Sequence, residues 1–225
     1  ETGQTVISGM GELHLDIKMD IMKRTYGIEV TSGMPQVAYK ETVSTIVEHR
    51  EIHKKQTGGA GQFADVGIIL EPMERGKGYE FVNEIKGGSI PKEFIPSVDK
   101  GIQDAIQSGV LGGYPVVDVK VRLVDGSFHE VDSNTDTFKI CGSKAFKAAM
   151  KKAGPILLEP IMKVPVVTPD EFAGDVTGAL SSKRGIIKSM LSKGKVQEIV
   201  AYVPLGNMFG WVNALRSMTK GKANS

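Results

Sequence analysis

Between Val116 and Val124 the chain reads "VVDVKVRLV", and this stretch constrains the fold more tightly than any other. Val117, Val119, Val121 and Leu123 fall on one side and Asp118, Lys120 and Arg122 on the other, the period of two that marks a half-buried strand. Such a strand needs neighbours along its edges and an apolar layer over one face. Two helical patterns flank it and can supply that layer. The first has a proline in its first turn, Ile95, Val98, Ile102 and Ile106 on one side, and Gly109 past its end. The second carries Phe138, Cys141, Ala145, Phe146 and Ala149 and stops at Gly154 and Pro155.

Other strands lie on both sides of these helices. Extended segments run from Pro35 to a glycine loop, "DVGIILEP" follows it, and "YEFVNEI" precedes a turn at Gly87 and Gly88. Before Pro35 the order is a short strand "QTVIS", a helix with Leu13, Ile17 and Ile21 at helical spacing that stops at Gly27, and a strand within "IEVTSGMP". These residues have too few apolar faces to enclose a core of their own. From Leu157 onward come a strand "IMKVPVV", a capping box in "TPDE" with Thr168 as N-cap, Pro169 at N1 and Glu171 reaching back, and a helix to Gly185. Two strands, "GIIKSML" and "QEIVAYVPL", precede a helix in "MFGWVNALRSMTKG" with Met208, Val212 and Leu215 on one face. Strand, helix, strand, strand, helix is a split βαβ of ferredoxin-like type lacking one strand, and the chain stops at "KANS". Both ends read as cut through a domain.

With 225 residues there is room for one to three small domains. No apolar run approaches the ~20 residues of a membrane span, and the start does not resemble a signal peptide, so a soluble cytoplasmic protein is expected. The lone Cys141 agrees with a reducing compartment. With 28 Lys and Arg against 26 Asp and Glu, the net charge of +2 compels no general attraction to nucleic acid. Any RNA site must be local.

Several motifs fail as chemistry. Gly59, Gly61 and Ala64 in "QTGGAGQFADV" satisfy G-x-G-x-x-G/A, but a strand rather than a helix follows, and no G-x-x-x-x-G-K-[ST] occurs. His49 and His53 would share a zinc on a helix, whereas "TVSTIVEHREIH" alternates like a strand and sets them about 13 Å apart as solvated side chains. "DSNTD" begins like a calcium loop, yet Thr137 stands where glycine is needed and Ser143 where a glutamate is needed. It reads instead as a helix start, capped by Ser133 or a neighbour, with Asp136 near the positive end. Cys141, on an apolar helical face, is expected to be a buried structural thiol rather than a nucleophile paired with His129. No metal site and no self-contained catalytic site emerges.

Two polar loops in one domain remain, the glycine loop and "DGSFHEVDS". Glycines admit close backbone approach, and Gln62, His129, Asp132 and Ser133 offer donors and acceptors without strong charge. Such loops suit recognition, although loops are also simple connectors. Basic pairs such as Lys54-Lys55, Lys151-Lys152 and Lys183-Arg184 could meet phosphates or merely face solvent.

Seven segments, "SGMGELHLDI", "MPQVAYKET", "TGGAGQF", "GGSIPKEFIPSVDKGIQDAIQSG", "GYPVVDVKVRLVDGSFHEVDS", "LLEPIMKVPVVTP" and "VPLGNMFGWVNALRSMTKG", resemble in order and spacing the C-terminal half of the bacterial elongation factor G family. The resemblance implies an α+β, multi-domain chain of α/β sandwiches. Residues 1–34 would end a ferredoxin-like domain III, 35–156 form domain IV of the ribosomal protein S5 domain 2-like kind, and 157–225 a ferredoxin-like domain V without its last strand. It implies a translational GTPase that moves tRNA and mRNA on the ribosome and acts with the recycling factor. GTP and Mg would belong to an N-terminal domain absent here, so this chain alone should not hydrolyse GTP and needs no cofactor; a monomer is expected. The domain IV arm would enter the small-subunit decoding region. Its tip would be Gly58, Gly59, Gly61 and Gln62 in one loop and His129, Asp132 and Ser133 in the other. Domain V, with Lys183 and Arg184, would lie by the sarcin-ricin loop and stalk base of the large subunit. The chain departs from the family pattern at Ala60 and Asp65, where arginine and histidine are common, lowering the expected positive charge of the tip, and at Thr135 and Thr137. A paralogue specialised for recycling, a tetracycline ribosomal protection protein and, outside the family, a stand-alone RNA-binding module are the alternatives.

Overall fold

The computed structural model describes residues 3–56, 59 and 61–225, which form two compact units, Tyr39–Leu158 and Glu1–Ala38 with Glu159–Ser225. In the first unit the alternating strand is β5 (Val119–Ser127), inside a four-stranded sheet with β2 (Val47–Lys55), β3 (Gln62–Pro72) and β4 (Tyr79–Asn83) in the order β2-β3-β5-β4. β3 runs antiparallel to both β2 and β5, and β4 is parallel to β5. Helices α2 (Ile95–Ile106) and α3 (Thr135–Lys152) pack on each other and cover one face. Val66, Ile68 and Leu70 of β3, Val119, Val121 and Leu123 of β5, Val98 and Ile102 of α2 and Phe138 and Phe146 of α3 are completely buried between these layers. A short antiparallel pair, β1 (Lys40–Val43) with β6 (Pro155–Leu158), closes the unit.

The expected alternation is inverted just before β5: Val116 is buried and Val117, expected on the core side, is only half-buried. Asp118 is buried rather than solvent-facing, has φ 59°, and ends the period before β5 begins at Val119. Its carboxylate accepts hydrogen bonds from the amides of Gly76 and Gly78, which accounts for the inward turn. At the base of the unit the Glu41 carboxylate is likewise buried, accepting from the amides of Leu111, Gly112 and Tyr114 at 3.0, 2.8 and 3.2 Å. Burial pushes this carboxyl up, but the backbone donors outweigh it and hold it below the ordinary range.

In the second unit β7 (Ile161–Pro169), β8 (Ile186–Lys193) and β9 (Val196–Pro204) form an antiparallel sheet in the order β7-β9-β8, with α4 (Ala173–Ser182) and α5 (Trp211–Met218) completing the core around Val176, Leu180, Ile199, Val203 and Leu215. Asn224 makes an isolated antiparallel bridge to Val167 on the free side of β7.

Local details differ from the sequence reading. Residues 4–8 and 28–35 are not strands, because no segment among the described residues pairs with them. The intervening helix α1 (Glu12–Tyr26) ends at Gly27 in the left-handed conformation as expected, with none of its residues buried. The "TPDE" capping box does not form: Thr168 and Pro169 finish β7, a short 3-10 turn covers Asp170–Phe172, and Glu171 pairs with Lys222. Met208 precedes α5, whose buried positions are Trp211 and Leu215, while Val212 is exposed.

Candidate nucleic-acid interface

The two polar loops meet at one end of the four-stranded sheet because β3 and β5 are neighbours. The glycine loop joins β2 to β3, and residues 128–134 join β5 to α3. They are knitted together. The Phe63 amide donates to the Asp132 carbonyl at 2.8 Å. Ser133 Oγ donates to the Phe63 carbonyl at 2.7 Å and accepts from the His129 amide at 2.9 Å. The Phe63 and His129 rings stack face to face, 3.7 Å between centroids and 2° from parallel. A Cβ on Gly61 would lie 2.5 Å from Asp132 Oδ1, so a larger residue there would require the Asp132 side chain to shift.

Gly61, Gln62, His129, Asp132 and Ser133 thus share one surface, with His129 exposed and the other four half-buried. Gly59 is exposed on the same loop, whereas Gly58 and Ala60 lie outside the described residues. Neither ring nitrogen of His129 has a hydrogen-bond partner among the described residues. Gln62 is held from behind: His53 Nε2 lies 3.0 Å from Gln62 Oε1, while Lys144 Nζ lies 2.9 Å from His53 Nδ1. An ammonium group can only donate, so Nδ1 must be the bare nitrogen and Nε2–H the donor to Gln62. The Gln62 carbonyl is therefore occupied, and its NH2 remains as a donor.

This corrects the reading of His49 and His53 as solvated. Both project from β2 toward α3, and His49 binds Glu51 Oε2 at 2.9 Å and Lys152 Nζ at 3.0 Å. The helix start is capped as expected, by Ser133's neighbour Asn134, which accepts the Thr137 amide at 2.8 Å and the Thr137 hydroxyl at 2.9 Å. Cys141 is a buried thiol within reach of the Glu51 and Ala64 carbonyls, pushed up to about 12 by burial, and therefore inert.

Asp65 is buried beneath the loop surface rather than presented on it. It is 3% exposed and bound by the Arg50 guanidinium at 2.8 and 2.6 Å and by the Ser127 hydroxyl at 2.7 Å. Burial raises this carboxyl, but the Arg50 and Ser127 hydrogen bonds prevail and keep it ionised. Arg50 also reaches Asp125 at 3.1 Å, joining three strands beneath the loops. Sequence reading missed this network and the roles of Phe63 and His53; only the strand register, which sets Asp65 opposite Ser127 and His53 opposite Ala64, brings them together.

Lys183 and Arg184 belong to the other unit. Lys183 Nζ donates to the Asn207 carbonyl at 3.1 Å, and Arg184, with φ 60°, makes a two-bond ion pair with Glu159 at 2.8 Å. Among the described residues no helix is long and apolar enough to cross a membrane.

Three family profiles match the chain: "Elongation Factor G, domain III" over residues 1–34, "Elongation factor G, domain IV" over 35–154, and "Elongation factor G C-terminus" over 156–225. A protein of Aquifex pyrophilus named Elongation factor G is 58% identical over 224 residues, covering 99% of this chain and 32% of its own length. A crystal structure from Thermus thermophilus superposes with a TM-score of 0.83 at 40% identity, over 96% of this chain and 32% of that one. The chain therefore spans about a third of the length of these relatives.

Proposed function

The chain belongs to the elongation factor G family, and on that premise we propose that it is the mechanical part of a ribosomal translocase. GTP is bound with Mg and hydrolysed by a domain outside these residues, and the unit Tyr39–Leu158 carries the resulting motion into the small-subunit decoding region. The observation that carries this reading is the joined tip. Two loops with unlike sequences are locked through Phe63, Ser133 and the His129 ring into one surface that sets uncharged donors and acceptors beside the Asp132 carboxylate.

Neutral groups fit the task physically. A codon-anticodon duplex must be followed by its shape and sugar-phosphate path, because every codon has to pass. The Gln62 amide and the free His129 ring edge can hydrogen-bond such a helix and release it, where a cluster of ammonium groups would hold phosphate more tightly. Locking the loops together beforehand removes an ordering cost that binding would otherwise bear. Gly58, Gly59, Gly61 and Asp132 shape the approach. The other unit contacts the large subunit near the sarcin-ricin loop and stalk base, with Lys183 and Arg184 on that side. The protein acts in the cytoplasm as a monomer, and in the same position works with the recycling factor.

Val131, 92% exposed beside His129, is the place for a tethered hydroxyl-radical source. The inert Cys141 leaves Val131→Cys as the reactive thiol. Bound to ribosomes, the derivatised chain is expected to cut RNA of the decoding region. Confirmed ribosome binding with cuts elsewhere would sink the tip assignment.

A further inference from the structure

The histidine pair and the lysine-rich helix come together on one flank of the arm. Lys144, Lys147 and Lys151 follow i, i+3, i+7 on α3, and Lys152 is its last residue; all four are exposed. Two of them are fixed in place. Lys144 donates to His53 and Lys152 to His49, and these rings stand four residues apart on β2, about 13 Å along the strand. Lys147 and Lys151 lie between, with no carboxylate in ion-pair distance among the described residues. Lys55, on the same side of β2, continues the line toward the tip. The acidic group in this row is Glu51, whose carboxylate is taken by His49.

The geometry points to a second RNA contact: the β2–α3 flank is a track of ammonium groups for the sugar-phosphate backbone of an RNA helix. It lies behind the two loops and adjoins them through Lys144 and His53, which holds Gln62. Three observations favour RNA over an acidic protein. The charges are spread along about 10 Å of helix, matching a partner with a charge every few ångströms. They are lysines, point charges suited to phosphate without a fixed orientation. The row also lacks the aromatic and arginine anchors on which protein interfaces depend. The histidines add preorganisation, since a lysine already held in place loses less rotamer freedom when a phosphate arrives. This inference deepens the proposed function and rests on the arm working among RNA.

The test measures affinity of the whole chain for a roughly 16-base-pair RNA duplex over about 50 to 200 mM salt. Lys147→Gln with Lys151→Gln is compared with Lys92→Gln with Lys100→Gln, an equal charge loss on exposed residues in the 3-10 turn before α2 and in α2 itself. The flank pair is expected to weaken binding severalfold and to reduce the salt slope by about 1.5, with little change in the control. Equal losses in both doubles, or an unchanged slope in the flank double, would overturn the proposal. Normal duplex binding with lost ribosome binding would assign the flank to an acidic protein and overturn it as well. The Val131→Cys cuts separate the two readings: if they persist in the flank double while its slope is unchanged, the track alone fails, and if the parent chain lacks them, the tip alone fails.

Discussion

Glu41 is the residue whose environment is most committed. A completely buried carboxylate satisfied by three amides has no neutral substitute, because the NH2 of glutamine would face donors. Glu41→Gln is expected to cost about 3 kcal/mol in urea unfolding. The sign of its pH dependence follows from the lowered folded pKa. The stabilisation is complete above the ordinary value of 4.5 and is lost as pH falls from there through the folded value. The variant should therefore show a shallower acid limb than the parent in unfolding experiments below about pH 4.5. Ser133 tests the tip at the same scale. Ser133→Ala removes one bond to each loop, and should cost about 1–2 kcal/mol locally, read as faster hydrogen exchange at the Phe63 and His129 amides. Nothing near Glu41 in the chain signals its role, since its partners lie 70 or more residues away. Likewise, His53 looked solvated because its lysine stands on another element, 91 residues on.

At the scale of elements, periodicity was the dependable signal and caps were the weak one. β5 and both helices of the first unit stand where their apolar spacing puts them, because a face that must be buried selects its own period. The "TPDE" box failed because its residues were claimed by β7, whose ladder with β9 runs through Thr168 and Pro169. The expected strands before Pro35 failed because a strand is a property of two segments. The crossing of α2 and α3 was also illegible, although both of its small residues are visible in the sequence. A Cβ on Gly101 would fall 2.0 Å from the Lys139 carbonyl oxygen, and one on Gly142 would fall 2.7 Å from that of Val98. Gly142→Ala should raise helix propensity yet lower stability by about 1–3 kcal/mol, because the helices must separate. Thermal unfolding decides the sign.

For the whole molecule, two cores with separate membership predict two separable transitions. Phe146→Ala, at a completely buried site in the first core, should destabilise that unit by about 3–5 kcal/mol. The calorimetric transition of the second unit, built around Leu180, Ile199 and Leu215, should stay in place. Beyond Pro35 the order of the longer elements was readable because each change between period two and period 3.6 marks a boundary, whereas before Pro35 two expected strands did not form. The site was half readable: its loops stood out as polar and glycine-rich, but their union depends on β3 lying beside β5, a long-range pairing that no local pattern encodes. That union carries its own optical bench. Aromatic rings lying face to face shield each other's protons, so His129 and Phe63 should resonate well upfield of isolated rings while the loops are joined. A partner that parts the loops would return those signals toward their free positions, whereas one that accepts the joined surface would leave them shielded.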